Sequence, residues 1–174
     1  MNIVLIGYRC CGKTSVGRIL AGRLGWEFLD TDRLIEERAA MPIERMVSTR
    51  GWKDFRRVER EVVREISNRD RCVVATGGGE VLLEENVRDL KKNGRIFWLD
   101  AAPGVIRTRM EKDLAAGRER PALGGAGPVD EIRQVLDQRR PLYARAGDFV
   151  VDTGALSPEG VAGWILDRMD PPDE

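Results

Sequence analysis

Short apolar runs alternate with segments of helical periodicity along the chain. The apolar runs that predict β-strands lie at residues 3–6, 26–29, 72–75, 95–99 and 149–151. Between these runs, apolar residues recur three and four positions apart, as from Val16 to Leu24, where Gly25 predicts the end of a helix. This alternation predicts an α/β fold of three layers, in which helices cover both faces of a five-stranded, mostly parallel sheet. Ligands of such sheets bind beyond the carboxyl ends of the strands.

One segment departs from this alternation. Residues 115–128 are mostly small or polar, rich in Gly and Pro, and too many for an ordinary connection. We therefore expect a mobile lid at about 113–128, within a single domain that covers residues 1–170. The tail at 171–174 is expected to be disordered.

Composition narrows the chemistry that the chain can perform. Its 29 basic and 29 acidic side chains give a formal net charge of zero, which argues against a nucleic-acid-binding arm. Because the chain has no His, acid–base chemistry falls to carboxylates. Cys10, Cys11 and Cys72 form no C-x-x-C pattern and fit a reducing cytoplasm better than a disulfide framework. The apolar run at 3–6 is too short for a signal peptide or a membrane span.

The most specific motif is G-x-x-x-x-G-K-T at residues 7–14. It follows a predicted strand and opens a predicted helix, as a phosphate-binding P-loop requires. In such a loop the backbone N–H groups surround phosphate oxygens, while Lys13 adds a positive charge and Thr14 offers a hydroxyl to Mg²⁺. The alternative is a Gly-rich turn with an exposed Lys. Because motif and context agree, we predict phosphate binding.

Two carboxylates, Asp30 and Asp32, follow the second predicted strand. We interpret this stretch as extended, which would point residues two apart to the same side. One carboxylate could then hold the water shell of a metal ion while the other lies near a substrate hydroxyl. The alternative is a helix N-cap at Asp32 with Asp30 in a turn.

Arg56 and Glu59 lie three residues apart on a helix predicted to begin near Gly51. An Arg oriented by a carboxylate could grip a carboxylate ligand with two hydrogen bonds, but the residues alone favour a solvated ion pair. The glycines at 77–79 follow the third strand and permit another group to approach the backbone closely. A ligand is the natural candidate for that group, and a flexible turn is the alternative.

Further arginines lie in the predicted lid and in a later helix. Arg118 and Arg120 could neutralise charge on a transferring phosphoryl group, or could simply be solvated. Arg139 and Arg140 belong to the stretch at 139–143 that ends a predicted helix, and the residues alone allow either to be on the surface.

Taken together, these motifs resemble the shikimate kinases, which are small P-loop kinases of the nucleoside-monophosphate-kinase fold. The resemblance runs over nearly the whole chain. Beyond the P-loop it rests on D-T-D at 30–32, F-R-x-x-E at 55–59, T-G-G-G at 76–79, R-P at 120–121, R-x-P-L-Y at 139–143 and D-T-x-x-x-x-P at 152–158.

The resemblance implies ATP-dependent phosphorylation of the 3-hydroxyl of shikimate, giving shikimate 3-phosphate and ADP on the chorismate route to aromatic amino acids. It implies that Asp32 accepts or orients the hydroxyl proton, and that Arg56 and Arg139 clamp the substrate carboxylate. Substrate would bind beside Gly77, Gly78 and Gly79, against a helical region at about 32–62.

The same resemblance implies phosphate contacts from Lys13 and Arg120, both expected to act in catalysis, and a Mg²⁺ site at Thr14 and, through water, at Asp30. The other implied ATP-binding positions are Gly7, Cys10, Cys11, Gly12, Ser15, Arg109, Lys112, Asp152 and Pro158. Either Arg109 or Lys112 could stack on adenine.

Two other functions stay open on the sequence. One is a different small kinase of the same fold, such as a gluconate kinase, and the other is a regulatory module that binds ATP without transferring phosphate. The expected partners are shikimate and ATP, with no nucleic acid and no membrane. The protein is expected to be a cytoplasmic monomer.

Overall fold

The computed structural model of the chain describes residues 1–116 and 128–169. Its strands are β1 (Asn2–Ile6), β2 (Glu27–Asp30), β3 (Cys72–Ala75), β4 (Gly94–Asp100) and β5 (Phe149–Asp152). Its helices are α1 (Lys13–Leu24), α2 (Thr31–Ala39), α3 (Ile43–Ile66), α4 (Glu84–Lys92), α5 (Pro103–Ala115), α6 (Pro128–Ala146) and α7 (Pro158–Leu166), with a one-turn 3₁₀-helix at Glu80–Leu82. Every predicted strand is present, and its ends differ from the predicted ones by at most one residue.

All five strands pair in parallel, in the order β2-β3-β1-β4-β5. The central strand β1 is flanked by β3 and β4, and every one of its residues is buried. A strand buried on both faces needs an uninterrupted apolar sequence, which explains the run at residues 3–6. The predicted parallel sheet is confirmed.

Helices pack on both faces of this sheet. Ile3 and Leu5 of β1 point to one face, where they pack in a core with residues of α1, α5, α6 and α7. Val4 and Ile6 point to the opposite face, where the core is formed with residues of α2, α3 and α4. Because successive side chains of a strand alternate between faces, one continuous apolar strand supplies both cores. The predicted three-layer architecture is confirmed.

Helix boundaries differ from the predicted ones in three places. Helix α2 already begins at Thr31, so the interpretation of residues 30–32 as extended is wrong. Helix α3 starts before Gly51, whose φ of 80° and ψ of 168° break the helical geometry and divide α3 into two segments at a kink. Helix α6 continues through Pro141 to Ala146, because Tyr143 and Ala146 are buried against the sheet.

Two predicted features fall largely outside the described residues. Of the predicted lid at 113–128, the structure describes the end of α5 and the start of α6, and residues 117–127 lie outside it. The predicted tail at 171–174 also lies outside the described residues. Within residues 1–116 and 128–169, no helix combines the length and apolar character needed to cross a bilayer.

Candidate functional site: two adjoining cavities at the carboxyl ends of the strands

The loop between β1 and α1 forms a compact cradle around the start of α1. Lys13 Nζ donates hydrogen bonds to the carbonyl oxygens of Gly7 (2.7 Å) and Tyr8 (2.8 Å), which folds the loop back over its own lysine. Gly12 caps α1 in a left-handed conformation at φ 95°, with no side-chain cap. The N-terminal N–H groups of α1 and the Lys13 ammonium therefore provide a site for an anion, as the motif predicts.

Gly7 serves packing within the protein. Its φ is 140°, and a Cβ atom added there would lie 2.3 Å from the carbonyl oxygen of Leu99 in β4. A side chain at this position would push the loop away from the sheet. The first glycine of the motif thus sets the height of the cradle above the strands.

The cradle forms one side of a cavity of about 750 Å³, which we call the P-loop cavity. Among the residues that line it are Cys10, Cys11, Gly12, Lys13, Thr14, Ser15, Arg109, Lys112, Thr153 and Pro158. Arg109 of α5 donates to the carbonyl oxygen of Cys10 (3.1 Å), to Thr153 Oγ1 (3.0 Å) and to the carbonyl oxygen of Thr153 (2.6 Å). These bonds join the cradle to the loop after β5.

Asp152 does not line the P-loop cavity. Its side chain is exposed, and its Oδ1 accepts a hydrogen bond from the N–H of Gly154 at 2.7 Å, which stabilises the turn after β5. Its neighbours Thr153 and Pro158 line the cavity instead. In the structure Asp152 shapes the loop after β5, and its predicted part in ATP binding stays a prediction.

Two oxygen ligands suited to Mg²⁺ face each other beside the cradle. Thr14 Oγ1 donates to Asp30 Oδ2 at 3.3 Å, and both residues line the P-loop cavity. In the described residues no cluster of three or more His, Cys, Asp or Glu side chains could hold a metal ion. Mg²⁺ bound with phosphates commonly uses one or two protein oxygens and keeps several waters, so Thr14 and Asp30 fit that ion.

The two P-loop cysteines differ in exposure. Cys11 is fully buried, and burial raises the pKa of its thiol to about 11. Cys10 is partly exposed, and its Sγ lies 3.6 Å from Asp113 Oδ2. Because the thiolate is the reactive form, Cys11 is protected from oxidation at neutral pH.

A second cavity, of about 450 Å³, adjoins the first, and we call it the triglycine cavity. Its lining includes Asp32, Arg56, Glu59, Gly77, Gly78, Gly79 and Arg139, together with residues from the predicted helical region at 32–62. Arg56 belongs to α3 and Arg139 to α6, so residues far apart in the chain converge on one space. Glycines 77–79 follow β3 and form its floor between the two arginines.

The Arg56–Glu59 pair is buried in the wall of this cavity. Arg56 Nη1 donates to both carboxylate oxygens of Glu59, at 2.6 and 2.7 Å, and also to the carbonyl oxygen of Gly79 at 3.3 Å. Glu59 is only 1% exposed. Burial raises the pKa of Glu59, and the Arg56 guanidinium opposes that shift. The solvated ion pair that the residues alone favoured is wrong.

Aromatic rings complete the setting of Arg56. Its guanidinium carbon lies 5.1 Å from the ring centre of Phe55 and 5.8 Å from that of Trp52. Rings at these distances attract a cation and limit its movement. Arg56 is thus held in one orientation before any ligand binds.

The three glycines allow polar side chains of the cavity to pack directly against the backbone. A Cβ atom added at Gly77 would lie 2.6 Å from Asp32 Oδ1, and one added at Gly79 would lie 2.6 Å from Arg56 Nη2. At Gly78 the nearest atom, Arg139 Nη1, would be 3.5 Å away. The sequence predicted a close approach to this backbone, and the groups that approach it are side chains of the protein itself.

The two cavities share part of their lining. Arg9, Asp30, Asp32 and Gly78 contact both of them. Arg9 forms an ion pair with Glu131 of α6, in which Nη2 of the arginine lies 2.8 Å from Oε1 of the glutamate. A group bound at the P-loop and a group bound over the glycines would therefore meet beside Asp32.

Some of these residues were missed by reasoning from the sequence. The Tyr143 hydroxyl donates to the carbonyl oxygen of Gly78 at 2.6 Å and so fixes the floor of the triglycine cavity. Its position four residues after Arg139, one helical turn along α6, was the available clue. The interaction between Arg9 and Glu131 had no such clue. Arg118 and Arg120 lie outside the described residues, so their roles stay predictions.

A P-loop beside the central strand of this parallel sheet, opening into a second cavity that holds a carboxylate and two arginines, defines a small P-loop kinase. The family model of shikimate kinase matches residues 9–170. The chain belongs to the shikimate kinase family.

Relatives and solved structures agree with this assignment. The shikimate kinase of Thermodesulfovibrio yellowstonii is 44% identical over 95% of this chain and 92% of its own length. That of Symbiobacterium thermophilum is 41% identical over 97% of this chain and 96% of its own length. A solved structure of shikimate kinase from Acinetobacter baumannii in complex with shikimate is 33% identical, with a TM-score of 0.88 over 97% of this chain and 92% of that chain.

Proposed function

We propose that this chain transfers the γ-phosphoryl group of ATP to the 3-hydroxyl of shikimate, giving shikimate 3-phosphate and ADP. In its family this reaction serves the chorismate route to aromatic amino acids. One observation carries the proposal: Arg56, Arg139 and Asp32 line a single cavity that adjoins the P-loop cavity. A ring acid with hydroxyl groups has the two kinds of group that these side chains recognise.

The triglycine cavity is proposed to bind shikimate through its carboxylate. A guanidinium presents planar pairs of N–H donors that match the two oxygens of a carboxylate. Arg56 is already oriented by Glu59, so little side-chain freedom is lost when the acid binds. Arg139 lies beside Gly78 on the neighbouring part of the floor and supplies the second cation.

Asp32 is proposed to act on the hydroxyl that receives the phosphoryl group. It lines both cavities, and it is held against the backbone of Gly77. A carboxylate in this position can orient the hydroxyl and accept its proton as the new P–O bond forms. Because the chain contains no His, a carboxylate is the natural base.

The P-loop is proposed to hold the phosphates of ATP. Lys13 would exchange its contacts with the loop carbonyls for phosphate oxygens, and the N-terminal N–H groups of α1 would donate to the same phosphates. Thr14 and, through water, Asp30 would hold Mg²⁺, which supplies positive charge to the phosphate oxygens during transfer. Either Arg109 or Lys112 would lie against adenine, and Arg120 would add charge to the transferring group.

A panel of acceptor acids separates this function from its alternatives. ADP release should be measured with shikimate, quinate and gluconate in parallel, and the product should be analysed by phosphorus NMR. We expect turnover with shikimate and a phosphate ester at its 3-hydroxyl. Turnover with gluconate alone would favour a gluconate kinase, and ATP binding without turnover on any acid would favour a regulatory module.

We also propose that the enzyme is a cytoplasmic monomer that binds neither nucleic acid nor membranes. Its net charge of zero offers no broad attraction to polyanions. Cys10, Cys11 and Cys72 form no disulfide, in keeping with a reducing compartment. Light scattering during gel filtration tests the oligomeric state. A monomer should give a molar mass of 19.5 kDa, and a dimer would give twice that value.

A further inference from the structure

A buried carboxyl group lies under the triglycine cavity and has no part in the mechanism above. Glu80 directly follows the three glycines, opens the 3₁₀-helix and is 0% exposed. Its Oε1 accepts a hydrogen bond from the N–H of Gly77 at 3.3 Å. Its Oε2 is buried and makes no hydrogen bond to any described residue. A buried polar group normally destabilises a protein, so its presence beside a site needs a reason.

The N–H group of Gly77 is shared between two side chains. It donates to Thr31 Oγ1 at 2.9 Å and to Glu80 Oε1 at 3.3 Å. Thr31 is fully buried and is the first residue of α2, directly before Asp32. One donor thus joins the start of α2 to the 3₁₀-helix after β3.

This shared bond lies directly beneath the proposed base. Asp32 packs so closely against Gly77 that a Cβ atom there would be 2.6 Å from Oδ1. The backbone N–H and Cα of Gly77 therefore contact Thr31, Glu80 and Asp32 together. A shift of Gly77 relative to α2 would move the Asp32 carboxylate relative to both cavities.

The charges around Glu80 favour its neutral form. Burial is the largest cause that raises the pKa of Glu80, followed by the carboxylate of Glu59 on α3 and then by Asp32 on α2, while Thr31 and the Gly77 N–H oppose the shift. The cations nearby, Arg56 of α3 and Arg139 of α6, act on Glu59. A neutral Glu80 adds no negative charge that would compete with a substrate carboxylate for these two arginines.

We propose that Glu80 is a positioning residue of the acceptor site: its buried carboxyl, with Thr31, fixes Gly77 against the start of α2 and thereby sets the position of Asp32. This inference rests on the proposed function, because it assigns Glu80 a role in shikimate phosphorylation. Glu80 lines neither cavity, so we expect it to contact neither substrate nor phosphate. It acts through Gly77 and Asp32.

Three variants test this role. Glu80→Ala removes the acceptor oxygen, Glu80→Gln keeps an acceptor without a charge, and Glu84→Ala is a control at a side chain that is 77% exposed on α4. Turnover and KM for shikimate, the Kd for ATP, and the unfolding temperature should be measured for each. The Kd for ATP reports on the P-loop cavity, which a general loss of structure would also affect.

We expect Glu80→Ala to lower turnover about 10–100-fold, as for loss of one buried hydrogen-bonding group, with the Kd for ATP unchanged. Glu80→Gln should restore turnover to near that of the wild type, and Glu84→Ala should have no effect. Wild-type turnover in Glu80→Ala would overturn the proposal, as would a Glu80→Gln variant as slow as Glu80→Ala. If the wild type itself did not phosphorylate shikimate, the proposed function would fail instead.

A second pair of variants covers the case in which Glu80→Ala does not fold. Thr31→Val keeps the shape of Thr31 and removes its hydroxyl, the other acceptor of the Gly77 N–H. We expect Thr31→Val to lower turnover with the Kd for ATP unchanged. The factor should be the same in a Glu80→Gln background, because the amide keeps the second acceptor of the Gly77 N–H, and smaller in a Glu80→Ala background. Wild-type turnover in Thr31→Val, or an equal factor in the Glu80→Ala background, would overturn the shared role of these side chains.

Discussion

Asp32 is the side chain on which the proposed chemistry most depends. It lines both cavities and packs against Gly77, so a phosphate donor and an acceptor hydroxyl would meet at its carboxylate. Asp30, two residues earlier, instead accepts from Thr14 Oγ1 and caps α2. The two carboxylates of one short motif therefore have separate places and separate proposed roles.

Replacing Asp32 by Asn should lower turnover about 10²–10⁴-fold, the range found for loss of a general base. The amide keeps the size of the side chain but is a poor proton acceptor. Calorimetry should show ATP binding unchanged, and Asp137→Asn at an exposed position of α6 serves as the control. Turnover in Asp32→Asn equal to that of the control would exclude Asp32 as the base.

Arg56 and its neighbour Arg57 offer a matched comparison on one helix. Arg56 forms the buried pair with Glu59, whereas the side chain of Arg57 is 58% exposed and pairs with Asp54 and Glu61. Arg56→Lys should raise the KM for shikimate about 10–100-fold, because an ammonium cannot reproduce the two-pronged contact. Arg57→Lys should leave it unchanged. Equal KM values in the two variants would show that Arg56 does not bind the substrate carboxylate.

The burial of this ion pair could not be predicted from sequence. An Arg and a Glu three residues apart on a helix give the same pattern whether they are solvated or buried. What buries Glu59 is the packing of α3 against the triglycine loop and the rings of Trp52 and Phe55 around Arg56. Of these contacts, the one between Arg56 and Gly79 joins residues that are distant in the chain.

The triglycine loop is the structural element that keeps the acceptor cavity open. Gly79 has a φ of −102°, which any residue adopts, so only the space around it requires glycine. The group that a Cβ atom would meet there is the end of the flexible Arg56 side chain, which can move aside.

Changing Gly79 to Ala should therefore weaken shikimate binding without unfolding the protein. We expect the KM for shikimate to rise at least about ten-fold as Arg56 is displaced, with the Kd for ATP unchanged. Gly22→Ala on α1 is the control, because a Cβ atom added there meets nothing within 4 Å. An unchanged KM in Gly79→Ala would mean that the position of Arg56 does not limit binding.

Strands and helix ends differ in how well the sequence determines them. The inner strands β1 and β3 could be predicted because a strand buried on both faces must be continuously apolar. The edge strands β2 and β5 were predicted from their short apolar runs, although both are partly exposed. The start of α2 could not, because Asp30 and Thr31 suit both an extended chain and a helix N-terminus. A tertiary contact decides between these, because Thr31 Oγ1 accepts a hydrogen bond from the N–H of Gly77, and Asp30 then caps α2 locally through the N–H of Arg33. The prediction that Asp30 and Asp32 share a cleft was right although the conformation assumed for it was wrong.

Across the whole molecule, buried carboxyl groups should make stability depend on pH. Burial, Glu59 and Asp32 raise the pKa of Glu80, so the folded state binds the Glu80 proton more tightly than the unfolded state does. This proton stabilises the folded state fully at pH values below 4.5, the ordinary pKa of a glutamate. The stabilisation is lost as the pH rises through the raised pKa of Glu80 in the folded state. Folded protein should therefore become less stable as pH rises through this range.

Replacing Glu80 by Gln should remove this loss of folding stability at higher pH, because the amide does not ionise. Urea unfolding of the wild type and the variant across a pH series should show the variant gaining stability relative to the wild type as pH rises. Glu84→Gln, at an exposed position, should show no such trend. A difference in unfolding free energy between Glu80→Gln and the wild type that stays constant with pH would mean that the pKa of Glu80 is not raised.

The arrangement of the molecule places a phosphate cradle and two arginines on either side of Asp32, and a structure with both ligands tests this arrangement most directly. Crystals grown with ADP and shikimate should show the shikimate carboxylate hydrogen-bonded to Arg56 and Arg139. The 3-hydroxyl should lie within hydrogen-bonding distance of Asp32, and the phosphates of ADP should lie in the P-loop cradle. Shikimate bound with its carboxylate away from both arginines, or with its 3-hydroxyl beyond the reach of Asp32, would contradict the account.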